Sequence, residues 1–79
     1  MTIEQVRKYY YARPFVPFRI YIADGRTLDV RHPEFLAMTP NGRTIGVADS
    51  DNTIETVDLL LVASLKPLKN GARRKGRVE

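Results

Sequence analysis

A chain of 79 residues, 43% hydrophobic, 28% charged and without cysteine, has the make-up of one small domain, which buries roughly 60% of its unfolded surface, so that association with other chains is an expected source of stability. The composition excludes a wholly disordered or collagen-like chain, a disulfide framework and a thiol nucleophile, and no apolar run is long enough to cross a bilayer. The net charge of +4 is unevenly placed: residues 1–65 carry seven Lys or Arg against eight Asp or Glu, whereas residues 66–79 carry six basic groups against Glu79 alone.

Within the near-neutral body a second asymmetry separates residues 1–31, with six basic and three acidic groups, from residues 32–65, with one and five. A chain polarised in this way suits self-association as well as an anionic partner.

The N-terminal residues lack the apolar core of a secretory signal and read as structure. Thr2-Ile3-Glu4-Gln5 fits a capping box with Thr2 as N-cap. Ile3, Val6 and Tyr10 then share one face of a helix of two or three turns, which Pro14 stops near Ala12. A helix this short is not stable alone, so its apolar stripe must dock.

From Pro17 the period falls to two. Phe18, Ile20 and Ile22 alternate with Arg19, Tyr21 and Ala23, and Leu28 and Val30 alternate with Thr27, Asp29 and Arg31. A two-residue turn at Asp24-Gly25 would put the two apolar sets on opposite faces. A three-residue loop, Ala23-Asp24-Gly25 with Gly25 left-handed, instead pairs Ile20 with Leu28 and Phe18 with Val30. The same device at Pro40-Asn41-Gly42 predicts Ala37 opposite Ile45 and Phe35 opposite Val47, with Leu36, Met38 and Val57 on the outer face. A four-residue connection, Asp49-Ser50-Asp51-Asn52, then sets Val47 opposite Ile54. Asp58-Leu59-Leu60 reads as a tight helical turn, and Leu61 to Leu65 as the last strand before Pro67.

One helix followed by about six short antiparallel strands predicts a mainly β chain: a small antiparallel β-barrel of the Sm-like or SH3-like kind, over residues 1–67. Residues 68–79 have no apolar period and dense like charge, and are expected to form a disordered basic C-terminal tail.

Few residue sets here support catalysis. His32 is the single histidine and has no spaced His or Cys partner for a metal; beside Pro33 it reads as part of a strand bend. Asp49, Asp51 and Thr53 sit where a calcium loop places oxygen ligands, but Ile54 replaces the glycine of the sharp turn and Leu60 the bidentate glutamate, leaving a solvated turn. No phosphate-binding glycine motif or Ser/His/Asp set can be assembled. The chain is therefore expected not to be an enzyme and to need no cofactor or metal.

The remaining constellation is basic and aromatic. Arg19 and Tyr21 share the face of the first strand opposite its apolar set, Arg31 shares the outer face of its neighbour, and Tyr9, Tyr11 and Arg13 lie just upstream. Rings among guanidinium groups hold single-stranded nucleic acid, and Arg73, Arg74 and Lys75 in the tail add phosphate attraction that fades with salt. These six residues, Arg19, Tyr21, Arg31, Arg73, Arg74 and Lys75, form the candidate site for RNA or single-stranded DNA. The competing reading pairs the outward Arg with cross-strand carboxylates such as Asp29 and makes the chain a homo-oligomeric protein-interaction or structural module with no nucleic-acid role.

Arg13-Pro14-Phe15-Val16-Pro17-Phe18-Arg19-Ile20, Asp24-Gly25-Arg26-Thr27-Leu28, His32-Pro33-Glu34-Phe35 and Val57-Asp58-Leu59-Leu60-Leu61-Val62 together resemble a family of small bacterial proteins to which no activity is assigned. That resemblance implies a bacterial, cytoplasmic protein. A looser one is to the Sm-like proteins of the Hfq type, which also open with a helix and a Val-Pro strand ending in Asn/Asp-Gly, here Val16-Pro17 to Asp24-Gly25. It implies a barrel, a ring formed by strand addition and RNA binding. The Tyr-Lys-His turn of those proteins is replaced by Val57-Asp58-Leu59, so their uridine pocket is not implied.

Overall fold

The structure is a computed structural model and describes residues 1–68; the tail residues Arg73, Arg74 and Lys75 lie outside the described residues. Helix α1 (Ile3–Tyr10) is followed by strands β1 (Phe18–Ile22), β2 (Thr27–Val30), β3 (Leu36–Met38), β4 (Thr44–Ala48), β5 (Ile54–Asp58) and β6 (Val62–Pro67), with short 3-10 turns at Pro33–Phe35 and Leu59–Leu61. The chain is thus mainly β with one N-terminal helix. Its strands form two antiparallel three-stranded sheets, ordered β2-β1-β6 and β3-β4-β5. No ladder joins the two sheets among the described residues, so the predicted closed barrel is not formed: Pro33 opens a 3-10 turn where one continuous bent strand would have carried β2 into β3.

The first hairpin has the predicted register. Phe18 pairs with Val30 and Ile20 with Leu28, and the loop closes with Gly25 N–H donating to the Ile22 carbonyl at 2.9 Å and Gly25 at φ 96°. The Asp24 carboxylate fixes the turn by accepting from the Arg26 N–H at 3.0 Å.

The second and third hairpins depart from expectation by one residue each. Leu36 pairs with Val47 and Met38 with Ile45, because the loop spans Pro40 to Arg43 rather than three residues. Thr39 closes it, its N–H donating to the Thr44 carbonyl at 3.0 Å and its hydroxyl accepting from the Thr44 N–H at 3.1 Å. The shift puts Leu36 and Met38 inside in place of Phe35 and Ala37, which buries more apolar surface. In the third hairpin Val47 faces Glu55, and Ala48 faces Ile54. Asn52 takes the left-handed position at φ 71°, and Asp49 N–H donates to the Thr53 carbonyl at 2.8 Å, so the loop has three residues and not four. Leu36 and Val57 are consequently core residues rather than outer ones, Met38 packs against the core, and Ile54 is 72% exposed.

The core lies between the sheets and is built from Phe18, Ile20, Ile22 and Val30 on one side and Leu36, Ile45, Val47 and Val57 on the other. Helix α1 covers one end. Gln5 Oε1 accepts from the Thr2 N–H at 3.1 Å, forming the expected return bond of the cap. The helix buries Val6 completely and sets the Tyr9 ring 4.9 Å from Phe18, so the docking required by its short length is met. Strand β6 completes the first sheet by pairing with β1, with a register shift between Tyr21 and Ile22.

Candidate nucleic-acid interface

Strand alternation builds this site. With Phe18, Ile20 and Ile22 buried, Arg19 and Tyr21 must point to the outer face of β2-β1-β6. Pairing then sets two rows across the sheet: Asp29, Arg19 and Lys66 in one, Thr27, Tyr21 and Ser64 in the next. The Lys66 ammonium lies 5.9 Å from the centre of the Tyr21 ring, within cation–π range.

Asp29 organises the cations. It accepts from Arg19 Nε at 2.7 Å and from Arg19 Nη2 at 3.1 Å, a two-pronged bond, and from Arg31 at 3.4 Å. Hydrogen bonding to Arg19 holds the Asp29 carboxyl below its ordinary range, and the same bond raises the Arg19 guanidinium above its own. Arg19 and Arg31 thus share one carboxylate, and Lys66 stands beside Arg19 as a third cation. The cross-strand pairing foreseen for Arg19 is present, and the face still carries an excess of positive charge around an aromatic ring.

Beside this face lies a cleft of about 410 Å³ between the edge of β2 and the end of β4, with Asp29 and Arg31 on one wall and Phe35, Ala48 and Asp49 on the other. Arg31 therefore belongs to both the face and the cleft. Phe35 meets the His32 ring edge-on at 5.4 Å, while the His32 carbonyl accepts from the Phe35 N–H at 3.0 Å; the histidine acts in the strand bend through its main chain.

Of the residues read from sequence, Arg19, Tyr21 and Arg31 are brought together. Tyr9 is not on this face: its ring packs on Phe18 and its hydroxyl donates to the Leu65 carbonyl at 3.3 Å. Lys66 is the residue that sequence reasoning missed by ending the last strand at Leu65; the signal was present in the alternation of Leu65 with Lys66 ahead of Pro67. Arg26 was also missed. Its guanidinium bonds both Asp24 and Glu55, tying the first hairpin to β5 of the other sheet.

The calcium-like loop uses its oxygens internally. Asp49 accepts from the Ser50 N–H at 2.6 Å and Asp51 from the Thr53 hydroxyl at 2.7 Å. No group of three or more His, Asp or Glu side chains is gathered among the described residues, and no helix among them is long and apolar enough to cross a membrane. No protein-family model, no curated protein and no solved structure shows a significant match to this chain.

Proposed function

We propose that this chain is a non-catalytic binding module that holds single-stranded RNA or DNA on the outer face of β2-β1-β6. The observation that carries the reading is the Tyr21 ring beside the cross-strand pair Arg19 and Lys66, with the Lys66 ammonium 5.9 Å from its centre: a base stacks on the ring while phosphates meet the neighbouring cations. The proposed setting is the bacterial cytoplasm, in line with the sequence resemblance. The Sm-like description of the fold is likewise our reading. It is supported by the strand order β2-β1-β6 and β3-β4-β5 and by the 3-10 turns at the two corners.

Fluorescence anisotropy with a labelled oligouridylate tests this function. Tyr21→Ala is expected to weaken binding by the stacking energy of one base, about 1–3 kcal/mol, roughly 5- to 150-fold in affinity. Lys66→Ala, which takes one cation away from the phosphates, should make the slope of log affinity against log salt shallower by about 0.7. Affinity that disappears in a chain ending at Leu68 and ignores both substitutions would assign binding to residues 69–79 and sink the sheet-face site.

A second reading, the homo-oligomeric interaction module, is favoured by a different observation: Ile54, Leu60 and Leu61 are 72%, 78% and 50% exposed, more apolar surface on and just after β5 than a solvated edge requires.

A further inference from the structure

Among the described residues two open sheets present four edge strands, and each edge exposes a row of unpaired main-chain N–H and C=O groups that invites another chain. Three of the four are guarded. The edge of β2 faces the end of β4 across the cleft described above, β3 has only three residues, and β6 is bulged and ends in Pro67. Strand β5 is five residues long, contains neither lysine nor proline, has no register shift against β4, and exposes Ile54 and Thr56.

The hydrogen-bond parity of this edge is fixed. Asp49 N–H donates to the Thr53 carbonyl and Leu59 N–H to the Arg43 carbonyl, each at 2.8 Å, so the odd-numbered residues of β5 bond β4. The N–H and C=O groups of Ile54, Thr56 and Asp58 then point away from the sheet.

We propose that β5 pairs antiparallel with β5 of a second copy about a twofold axis at Thr56, joining two β3-β4-β5 sheets into one of six strands. The edge is complementary to itself, since its three outward-bonding residues are centred on Thr56, and charge selects the register. With Thr56 opposite Thr56, Ile54 faces Asp58 and Glu55 faces Val57 of the other copy, so no like charges oppose. All three outward residues bond, giving about six main-chain hydrogen bonds. A shift of the axis to residue 55 would set Glu55 against Glu55. A shift to residue 57 would leave Ile54 unpaired. The two strong charges on this strand are already engaged, Glu55 by Arg26 and Asp58 by the Leu60 N–H at 2.9 Å. Opposed threonines at the axis are a favourable cross-strand pair. One strand edge buries well under the roughly 800 Å² per partner of a standard interface, so the dimer is weak and concentration-dependent.

This inference deepens the second reading above and is independent of nucleic acid. The test is sedimentation velocity of the full chain from about 20 µM to about 1 mM, a range that spans weak association. The wild type is expected to shift from monomer to dimer across that range. Thr56→Pro removes the central N–H, which in the monomer faces solvent and is dispensable; this variant is expected to stay monomeric, while Thr56→Val, which keeps the N–H, dimerises. Should Thr56→Pro fail to fold by circular dichroism, Ile54→Lys, at an exposed site, is the replacement, with dimer affinity down at least about tenfold. A wild type monomeric throughout removes both the self-association reading and the β5 contact. A dimer indifferent to a folded Thr56→Pro, or to Ile54→Lys, overturns the β5 contact alone.

Discussion

Gly25 and Gly42 both hold positive φ, at 96° and 70°, but their surroundings differ. A Cβ at Gly25 would meet nothing within 4 Å, whereas one at Gly42 would lie 3.0 Å from Ile3 Cγ2. Alanine at Gly25 is therefore expected to cost about 1–2 kcal/mol, the left-handed penalty alone. At Gly42 the same penalty adds to displacement of Ile3 from the start of α1, and thermal unfolding should show Gly42→Ala as the less stable of the two. Asp29 supports a second comparison. Because Arg19 lowers its pKa in the fold, its contribution is present above the unfolded value, about 3.9, and is lost as pH falls through the lower folded value. Asp29→Asn should cost under about 1 kcal/mol near neutrality, since the pair is partly solvated, and should flatten the fall in stability below about pH 4. It should also tighten oligonucleotide binding by releasing Arg19 and Arg31, an outcome read in the same anisotropy titration.

At the scale of elements, α1 is held chiefly by Val6, with Ile3, Tyr9 and Tyr10 packed beside it. Val6 is its only buried residue, and an eight-residue helix has no stability of its own. Val6→Ala should cost about 1–3 kcal/mol and reduce the helical signal in far-ultraviolet circular dichroism before the sheets melt. The hairpins show where sequence sufficed. In the first, a glycine after a short polar loop and strict alternation on both sides left one consistent register. In the second, Gly42 occupies the third loop position whether the loop has three or four residues, so local turn chemistry does not decide. The decision lies with Leu36 and Met38, whose burial requires the rest of the core. In the third, asparagine takes the position that glycine occupies elsewhere, and its side chain gives a weaker cue. The outward set Arg19, Tyr21 and Arg31 was legible because alternation is local. The Arg26–Glu55 pair was not, because its partners are 29 residues apart and meet only when the sheets pack.

For the whole molecule, the two sheets turn unlike surfaces outward. The outer face of β2-β1-β6 carries Arg19, Asp29 and Lys66, whereas Ala37, Gly46 and Thr56 form an uncharged row across β3-β4-β5. Sheet extension through β5 would leave both basic faces of a dimer unobstructed, so that one strand of nucleic acid could engage two copies. Raising salt should then weaken oligonucleotide binding while leaving the main-chain pairing between copies largely unchanged.

The partner of β1 on one side arrives late. Strand β1 sits at the centre of its sheet, and its second neighbour, β6, is separated from it by the whole remainder of the fold, with Leu68 N–H finally closing on the Pro17 carbonyl at 2.8 Å. Each hairpin can close from residues near one another, but this ladder must bring distant segments together, which slows its formation. On the ribosome, Arg19 and Tyr21 therefore emerge on a strand with one side open, and the nascent chain acquires its full basic surface only after β6 has been synthesised.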